Sequence, residues 1–389
     1  MVLRLKFFHT ADWHLGKLVQ GVYMTEDQKH VLDQLIKEVE KEKPDAVVIA
    51  GDLYDRSIPP TEAVDLLDEV LETIVLKLKI PVLAIGGNHD GPERLDFGRK
   101  IMKSNGFHIV GQYTDTFEPV ILHDEHGEVH FHLVPYAEPS KVRYEMQLED
   151  VRSHNEAMQA IINKIVETMN NNARHIFVGH AFVTPYGEEK PNTSDSERPL
   201  AIGGAEHVNA NLFAPFHYTA LGHLHQAHHV GNEKIRYAGS PLKYSISEEH
   251  HKKGYYIVEL DQSGEVSVEK RLLEPRRTIR TVEGKIDEIE QHERNEDYVF
   301  VRLLDESPVL SPMERIRSVY PNAMHVERVI SFLATDHANE ETMARSKMDE
   351  LSLFKAFYKE VKGLDITEET EQLFSEVLQE TIRLDGERK

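Results

Sequence analysis

Apolar runs of four to six residues alternate with helix-period segments along roughly the first 270 residues, the pattern of an α/β domain. The runs "LKFFH" from Leu5, "DAVVIAGD" from Asp45, "PVLAIGG" from Pro81, "HIFVGH" from His175 and "YTALGH" from Tyr218 are short and bounded by turn residues. They are predicted strands. Between the first two, Val31, Leu32, Leu35, Ile36 and Val39 recur at helical spacing from Thr25 to Lys43, and Thr25 with Gln28 predicts a capping box. A second helix follows "PPTEA", with Val64, Leu67, Leu71, Ile74, Val75 and Leu78 as its apolar side. A third opens at Ser153, with Glu156 three residues on, and carries Ile161, Ile162, Ile165 and Val166.

From about Gly231 the pattern turns to β, in "KIRYAGS", "GYYIVEL" and "VSVEKRLL". Pro275 and the basic "RRTIR" mark a boundary. Beyond it, strand-like "RTIRTV" and "YVFVRLL", helical "PMERIRSV" and strand-like "AMHVERVI" predict a small α/β domain of roughly sixty residues. The acidic tail is helical: Leu351, Phe354, Phe357, Tyr358 and Val361 repeat at helical spacing. Gly363 interrupts, and Leu373, Phe374, Val377 and Leu378 resume. The expected division is 1–274, 275–337 and 338–389.

Composition narrows the chemistry. No apolar run is long enough to cross a bilayer as a helix, and "MVLRLKFFHTADWH" lacks the layout of a signal peptide. A cytoplasmic location is expected. Cysteine is absent among the 389 residues, which removes disulfides, thiolate metal sites and cysteine nucleophiles. The formal charge of -22 argues against a surface coated in basic residues, and leaves room for a local basic groove or for metal ions that offset phosphate charge. Histidine is abundant, at 23 residues, and grouped in "GHLHQAHH" and "VHFHL", so placement must decide which of these carry chemistry.

Several predicted strands end in residues that bind metals. The first delivers Asp12 and His14, the second Asp52 and Asp55, and the third Asn88, His89 and Asp90. "VGHA" supplies His180, and "GHLH" supplies His223 and His225. Carboxyl ends of neighbouring strands meet in one crevice in α/β folds, so residues far apart in sequence converge there. Each fragment has a bland alternative: D-x-H pairs are common, Asn88 suits a left-handed turn, and two histidines two apart share a strand face. The whole set in this order points to a metal centre. Carboxylate, imidazole and amide donors without thiolate suit two octahedral ions such as Mn²⁺ or Fe²⁺, the arrangement used to cleave phosphoesters.

These ordered motifs, D-x-H, G-D-x-x-D, G-N-H-D, a lone His and G-H-x-H, resemble the calcineurin-like metallophosphoesterase superfamily. "HTADWHLGK", "VIAGDLYDRSIPP", "GNHDGPERL", "SERPLAIGGAEHV" and "YAGSPLKYSISE" resemble its branch of SbcD-type nuclease subunits. The last two blocks hold no superfamily metal motif, and they separate this branch from generic phosphatases. The resemblance implies a calcineurin-like β-sandwich flanked by helices, with a small α/β capping domain and C-terminal helices. It further implies one ion on Asp12, His14, Asp52 and His225, and a second on Asp52, Asn88, His180 and His223, with Asp52 bridging. His89 takes the place of the catalytic histidine, Asp55 is expected to orient it, and Asp90 to support the loop.

The implied activity is Mn²⁺-dependent hydrolysis of DNA phosphodiesters in end processing, recombination and repair: exonuclease on double-stranded ends, endonuclease on single strands and hairpins. The implied partner is an SbcC-type coiled-coil ATPase gripped by the terminal helices, in a complex of two copies of each subunit. The helix from Thr61 to Leu78 and the segment from Glu93 to Asn105 are candidate homodimer contacts. "KRLLEPRRTIR" is the densest basic stretch, and Arg276, Arg277 and Arg280 are candidate DNA contacts, or simply a solvated charged face. Competing readings are a phosphatase or cyclic-nucleotide phosphodiesterase acting on small substrates, and a scaffold that has lost catalysis.

Overall fold

The protein is described by a computed structural model covering residues 4–185, 194, 195, 197, 207–329 and 350–386, with side chains omitted at 360 and 379–386. Two six-stranded sheets stack face to face. The first runs Val266–Leu272, Gly254–Leu260, Leu5–Thr10, Ala46–Ile49, Val82–Ile85, Phe107–Val110. Its last four strands are parallel and its first two antiparallel. The second runs His228–Val230, Asn232–Tyr237, Tyr218–Gly222, Arg174–His180, Gly127–Val134, Val120–Asp124, with a parallel centre and antiparallel edges.

Strand alternation explains the layering. Leu5, Phe7, Val48, Leu83 and Ile85 from one sheet meet Val129, Phe131, Ile176, Val178 and Ala220 from the other in a dry inter-sheet core. Phe7 and Phe131 cross edge to face, with centroids 5.4 Å apart, an arrangement worth about 0.5–1.5 kcal/mol beyond burial. The opposite face of the first sheet packs on the helices Thr25–Glu42 and Thr61–Leu71, and that of the second on His154–Glu167. Helices therefore flank a β-sandwich.

Two helix expectations change. Thr25 and Gln28 form no capping box: Met24 occupies the cap position without a side-chain bond. The Gln28 amide instead donates to the carbonyls of Trp13 and His14, at 3.1 and 2.7 Å, and its oxygen accepts from the Gly16 N–H. A buried amide with backbone groups to satisfy is worth more there than at a solvated cap. In the second helix the buried face is Ala63, Leu66, Leu67, Val70, Ile74 and Val75, while Val64 is exposed, and the last turns, Glu72–Lys77, widen to π geometry. That widening rotates the apolar face relative to a uniform 3.6-residue repeat. At Ser153 the expected capping box with Glu156 is present.

The parallel strands Ile279–Gly284, Tyr298–Leu303 and His325–Arg328 form a separate sheet with its own core of Val282, Ile286, Val299, Val301, Ile316 and Tyr320. The terminal helices Glu350–Lys362 and Glu368–Gly386 pack through stacked Phe354 and Phe374, and Phe357, Leu373 and Val377 stay largely exposed. The expected boundary between 337 and 338, and most of "SERPLAIGGAEHV", lie outside the described residues.

Candidate metal centre

The carboxyl ends of five strands, three from the first sheet and two from the second, meet at one edge of the sandwich. Asp12 and His14 follow Leu5–Thr10, Asp52 follows Ala46–Ile49, and Asn88 and His89 follow Val82–Ile85. His180 ends Arg174–His180, and His223 and His225 follow Tyr218–Gly222.

The backbone there is strained. Of the nine non-glycine residues with positive φ among the described residues, four are ligand candidates: Asp12 at 54°, His14 at 46°, Asp52 at 51° and His223 at 108°. Each such residue costs on the order of 1–3 kcal/mol and persists only where surrounding bonds over-determine it. Those bonds are visible. The amides of Asp12 and His14 donate to the carbonyls of Gly51 and Asp52, at 3.0 and 2.9 Å. The buried Asp90 carboxylate accepts from the amides of Leu53, Tyr54 and Gly87 at 2.9–3.1 Å, tying the second loop to the third. Burial beside Asp52 nevertheless pushes Asp90 up to about 7. Gly87 is obligatory, because a Cβ would stand 2.2 Å from the Asp52 carboxylate.

Asp52 is central. Its Oδ1 accepts from the His89 amide at 2.9 Å, and its Oδ2 lies 3.5 Å from His14 Nε2 and 3.4 Å from His180 Nε2. On one side of Oδ2, His14 Nε2 is 3.0 Å from His225 Nε2. On the other, His180 Nε2 is 2.9 Å from Asn88 Oδ1, and the His223 ring lies 5.5 Å from that of His180. Asp12 joins through Oδ1, 2.8 Å from the His223 amide, while its buried Oδ2 has no hydrogen-bond partner.

These spacings fit divalent ions. Two donors at about 2.1 Å from an octahedral ion stand about 3.0 Å apart when adjacent. The orphaned Asp12 Oδ2 and the facing imidazole nitrogens of His14 and His225 are the donors such an ion takes up, and Asp12, His14 and Asp52 place ligand atoms within 4.8 Å of one another. Ionisation is set by the same crowding. Burial pushes Asp12 up to about 7 against the pull of His180 and His225. Burial also opposes charge on His180, but Asp52 and Asp12 overcome it and push that imidazole up to about 9. Protons held here are the ones a metal displaces.

His89 sits beside this group, its ring 4.6 Å from that of His14 and at right angles to it. Its Nδ1 is 2.8 Å from the main-chain carbonyl of Asp55, an acceptor only, so Nδ1 carries the proton. Asp55 thus reaches His89 through its backbone, and its carboxylate, paired with Lys17 at 2.8 Å and 3.7 Å from His14 Nδ1, groups with the ring nitrogens of His14 and His89 within 4.8 Å. A carbonyl at a fixed backbone position holds an imidazole without side-chain entropy, which the sequence does not reveal.

The arginines of the basic stretch are ion-paired. Arg277 is mostly buried and pairs at 3.2 Å with Asp27 of the first helix, whose carboxylate also accepts from the Tyr298 hydroxyl at 2.7 Å. Arg280 pairs with Asp297 at 2.7 Å. The first pair joins the small sheet's segment to the first helix, and the second lies within that segment. Arg276, half exposed and 3.2 Å from Glu26, keeps the freest cation of the three.

Residues 5–227 match the family described as calcineurin-like phosphoesterase. The chain belongs to that family. It is a metal-dependent phosphodiester hydrolase. Residues 275–362 match a second family, described as type 5 capsule protein repressor C-terminal domain. Among curated relatives, the SbcD component of the SbcCD nuclease from Staphylococcus epidermidis is 35% identical over 384 residues, 97% of each chain. That of Staphylococcus saprophyticus is 34% identical over 368 residues, 93% of this chain and 95% of the relative. Among solved structures, a Thermus thermophilus protein aligns at TM-score 0.38 and 12% identity, covering 69% of this chain and 99% of that one. A dimetal phosphatase from Danio rerio aligns at 0.38 and 13%, covering 69% and 96%. No described helix is long and apolar enough to cross a membrane.

Proposed function

We propose that the chain is the nuclease component of an SbcCD-type complex, hydrolysing DNA phosphodiesters with two divalent ions, Mn²⁺ by preference. The carrying observation is Asp52 Oδ2, set 3.5 Å from His14 Nε2 and 3.4 Å from His180 Nε2, with His89 beside them. It supports one ion on Asp12, His14, Asp52 and His225, and a second on Asp52, Asn88, His180 and His223. When bound, the ions supply Lewis-acid activation of water and neutralise phosphate charge.

The chain's own residues do the rest. Asp52 spaces the two half-sites and, through Oδ1, fixes the His89 backbone. Asn88 contributes a neutral oxygen, which limits the negative charge facing the phosphate. His89, its Nδ1–H held by the Asp55 carbonyl, would in the doubly protonated form stabilise charge developing on the scissile phosphate and give its Nε2 proton to the leaving oxygen. Its substrates are double-stranded ends, for exonuclease cleavage, and single strands and hairpins, for endonuclease cleavage. Arg276 is the member of the basic stretch retained as a DNA contact.

The exposed Phe357, Leu373 and Val377 support helix-in-groove docking on an SbcC-type ATPase. Exposed Phe97 and Ile101 support a homodimer contact from the segment between Glu93 and Asn105. The protein is assigned to the cytoplasm. Purified protein with Mn²⁺ is expected to cut a DNA hairpin. Cleavage of an aryl phosphate alone would make it a small-substrate phosphatase instead. Removing residues 338–389 is expected to leave a folded nuclease that no longer co-purifies with the ATPase; survival of the association would refute the tail assignment.

A further inference from the structure

Two sequence blocks lie outside the ligand motifs, "SERPLAIGGAEHV" and "YAGSPLKYSISE", and Glu197 of the first meets Ser240 and Glu248 of the second around one residue, His225. Glu197 Oε1 accepts from the His225 amide at 2.6 Å, while its Oε2 accepts from the Ser194 amide at 2.9 Å. The His225 carbonyl accepts from Lys253 Nζ at 2.9 Å and from the Ser240 amide at 3.3 Å. Gly239, at φ +74°, allows this approach, because a Cβ there would stand 2.7 Å from the same carbonyl. On the ring, Nδ1 lies 3.1 Å from Glu248 Oε1.

Glu248 is fully buried, and its other oxygen pairs with the buried Lys253, whose ammonium also donates to Ser240 Oγ at 2.8 Å. The three donors of Lys253 are thus matched to the His225 carbonyl, the Ser240 hydroxyl and Glu248. Backbone amide, backbone carbonyl and ring nitrogen of a single imidazole are all held from elements distant in sequence.

We propose that Glu248, Lys253 and Glu197 form a clamp that sets the affinity of one ion site by fixing the orientation and tautomer of His225. This rests on the two-ion reading above. With Nδ1–H donated to a carboxylate, the lone pair of Nε2 faces His14 Nε2 and becomes more basic. His180, in the other half-site, is anchored differently, through the neutral carbonyl of Ala50 at 3.0 Å. One ion would therefore be held by a carboxylate-backed histidine and the other by a carbonyl-backed one. The clamp residues are positioning residues and touch no substrate.

The test is a Mn²⁺ titration of metal-free full-length protein, followed by calorimetry and by electron paramagnetic resonance. Wild type is expected to show two classes of site, and His225→Ala identifies the class that belongs to His225. Glu248→Gln combined with Lys253→Met removes both charges together, so neither is left buried alone. This variant is expected to weaken that one class by about 10–100-fold, leave the other unchanged, and melt near wild type when metal-free. Glu197→Gln is expected to weaken the same class by less, and carries the test should the double variant fail to fold. Unchanged affinity in both classes overturns the clamp. So does equal weakening of both with a lowered metal-free melting temperature, which is the mark of a general structural role. A wild-type protein that takes up no Mn²⁺ refutes the two-ion reading itself.

Discussion

One strand supplies a histidine to each of two imidazole clusters with opposite fates. In Arg174–His180, His180 shares the inward face with Ile176 and Val178, while His175, an odd number of residues away, shares the outer face with Phe177. His180 joins the strand ends around Asp52. His175 joins His130, His132 and His217: its Nδ1 is 3.0 Å from His132 Nε2, its ring stacks on that of His132 at 5.2 Å, and its amide donates to His217 Nδ1 at 2.9 Å.

The difference lies in the carboxylates. Around His180, buried Asp52 and Asp12 outweigh burial and push the ring up to about 9. Around His132, burial dominates, reinforced by His175 and His130, and drives the ring down to about 3. Crowded imidazoles without buried acids become packing; crowded imidazoles with them become a place for cations.

The largest effect expected from breaking this contrast is at the shared acid. Asp52→Asn is predicted to remove tight binding of both ions and bring cleavage below detection, read by Mn²⁺ titration and a hairpin assay. Two bound ions in that variant would mean that the imidazoles alone make the centre. Next, His89→Gln is predicted to keep both ions and DNA binding while cleavage falls by about 10²–10⁴-fold; loss of metal would move His89 among the ligands. Asp55→Asn leaves the carbonyl that holds His89 in place, so the expected loss in kcat is smaller, about tenfold at most. A deficit matching His89→Gln would return the orienting role to the carboxylate.

The smallest effect belongs to the packed cluster. His132 has a folded value near 3 against 6.5 for the free group. Between those values the unfolded chain binds a proton that the native ring refuses, so this contribution is complete above about pH 6.5 and is lost as pH falls toward 3. His132→Leu is predicted to stay within about 1.5 kcal/mol of wild type near pH 7.5. It should also show a smaller drop in urea midpoint between about pH 7.5 and about pH 5. An equal drop would place the acid sensitivity elsewhere, and any change in Mn²⁺ affinity would show that the two clusters communicate.

Much of this was legible in the residues. Period-two and period-3.6 patterns placed the central strands and the principal helices, because burial of one face is a local signal. Asp12, His14, Asp52, Asn88, His180, His223 and His225 stood out because each follows an apolar run, and strand ends of α/β sheets converge. Gln28 was misread because a helix start and a buried amide donor look alike in sequence. Arg277 and Arg280 read as a free basic patch, since their partners Asp27 and Asp297 are 250 and 17 residues away.

By itself, then, the sequence determined the strands, their facing and the donor types, all of which follow from local alternation and side-chain chemistry. Only the tertiary structure decided that Asp52 stands between His14 and His180, that the Asp55 backbone carbonyl meets the His89 ring, and that Glu197, Glu248 and Lys253 close around His225. Those are contacts between segments distant along the chain. Their geometry depends on how the two sheets stack and how strained loops are braced, which no local pattern encodes.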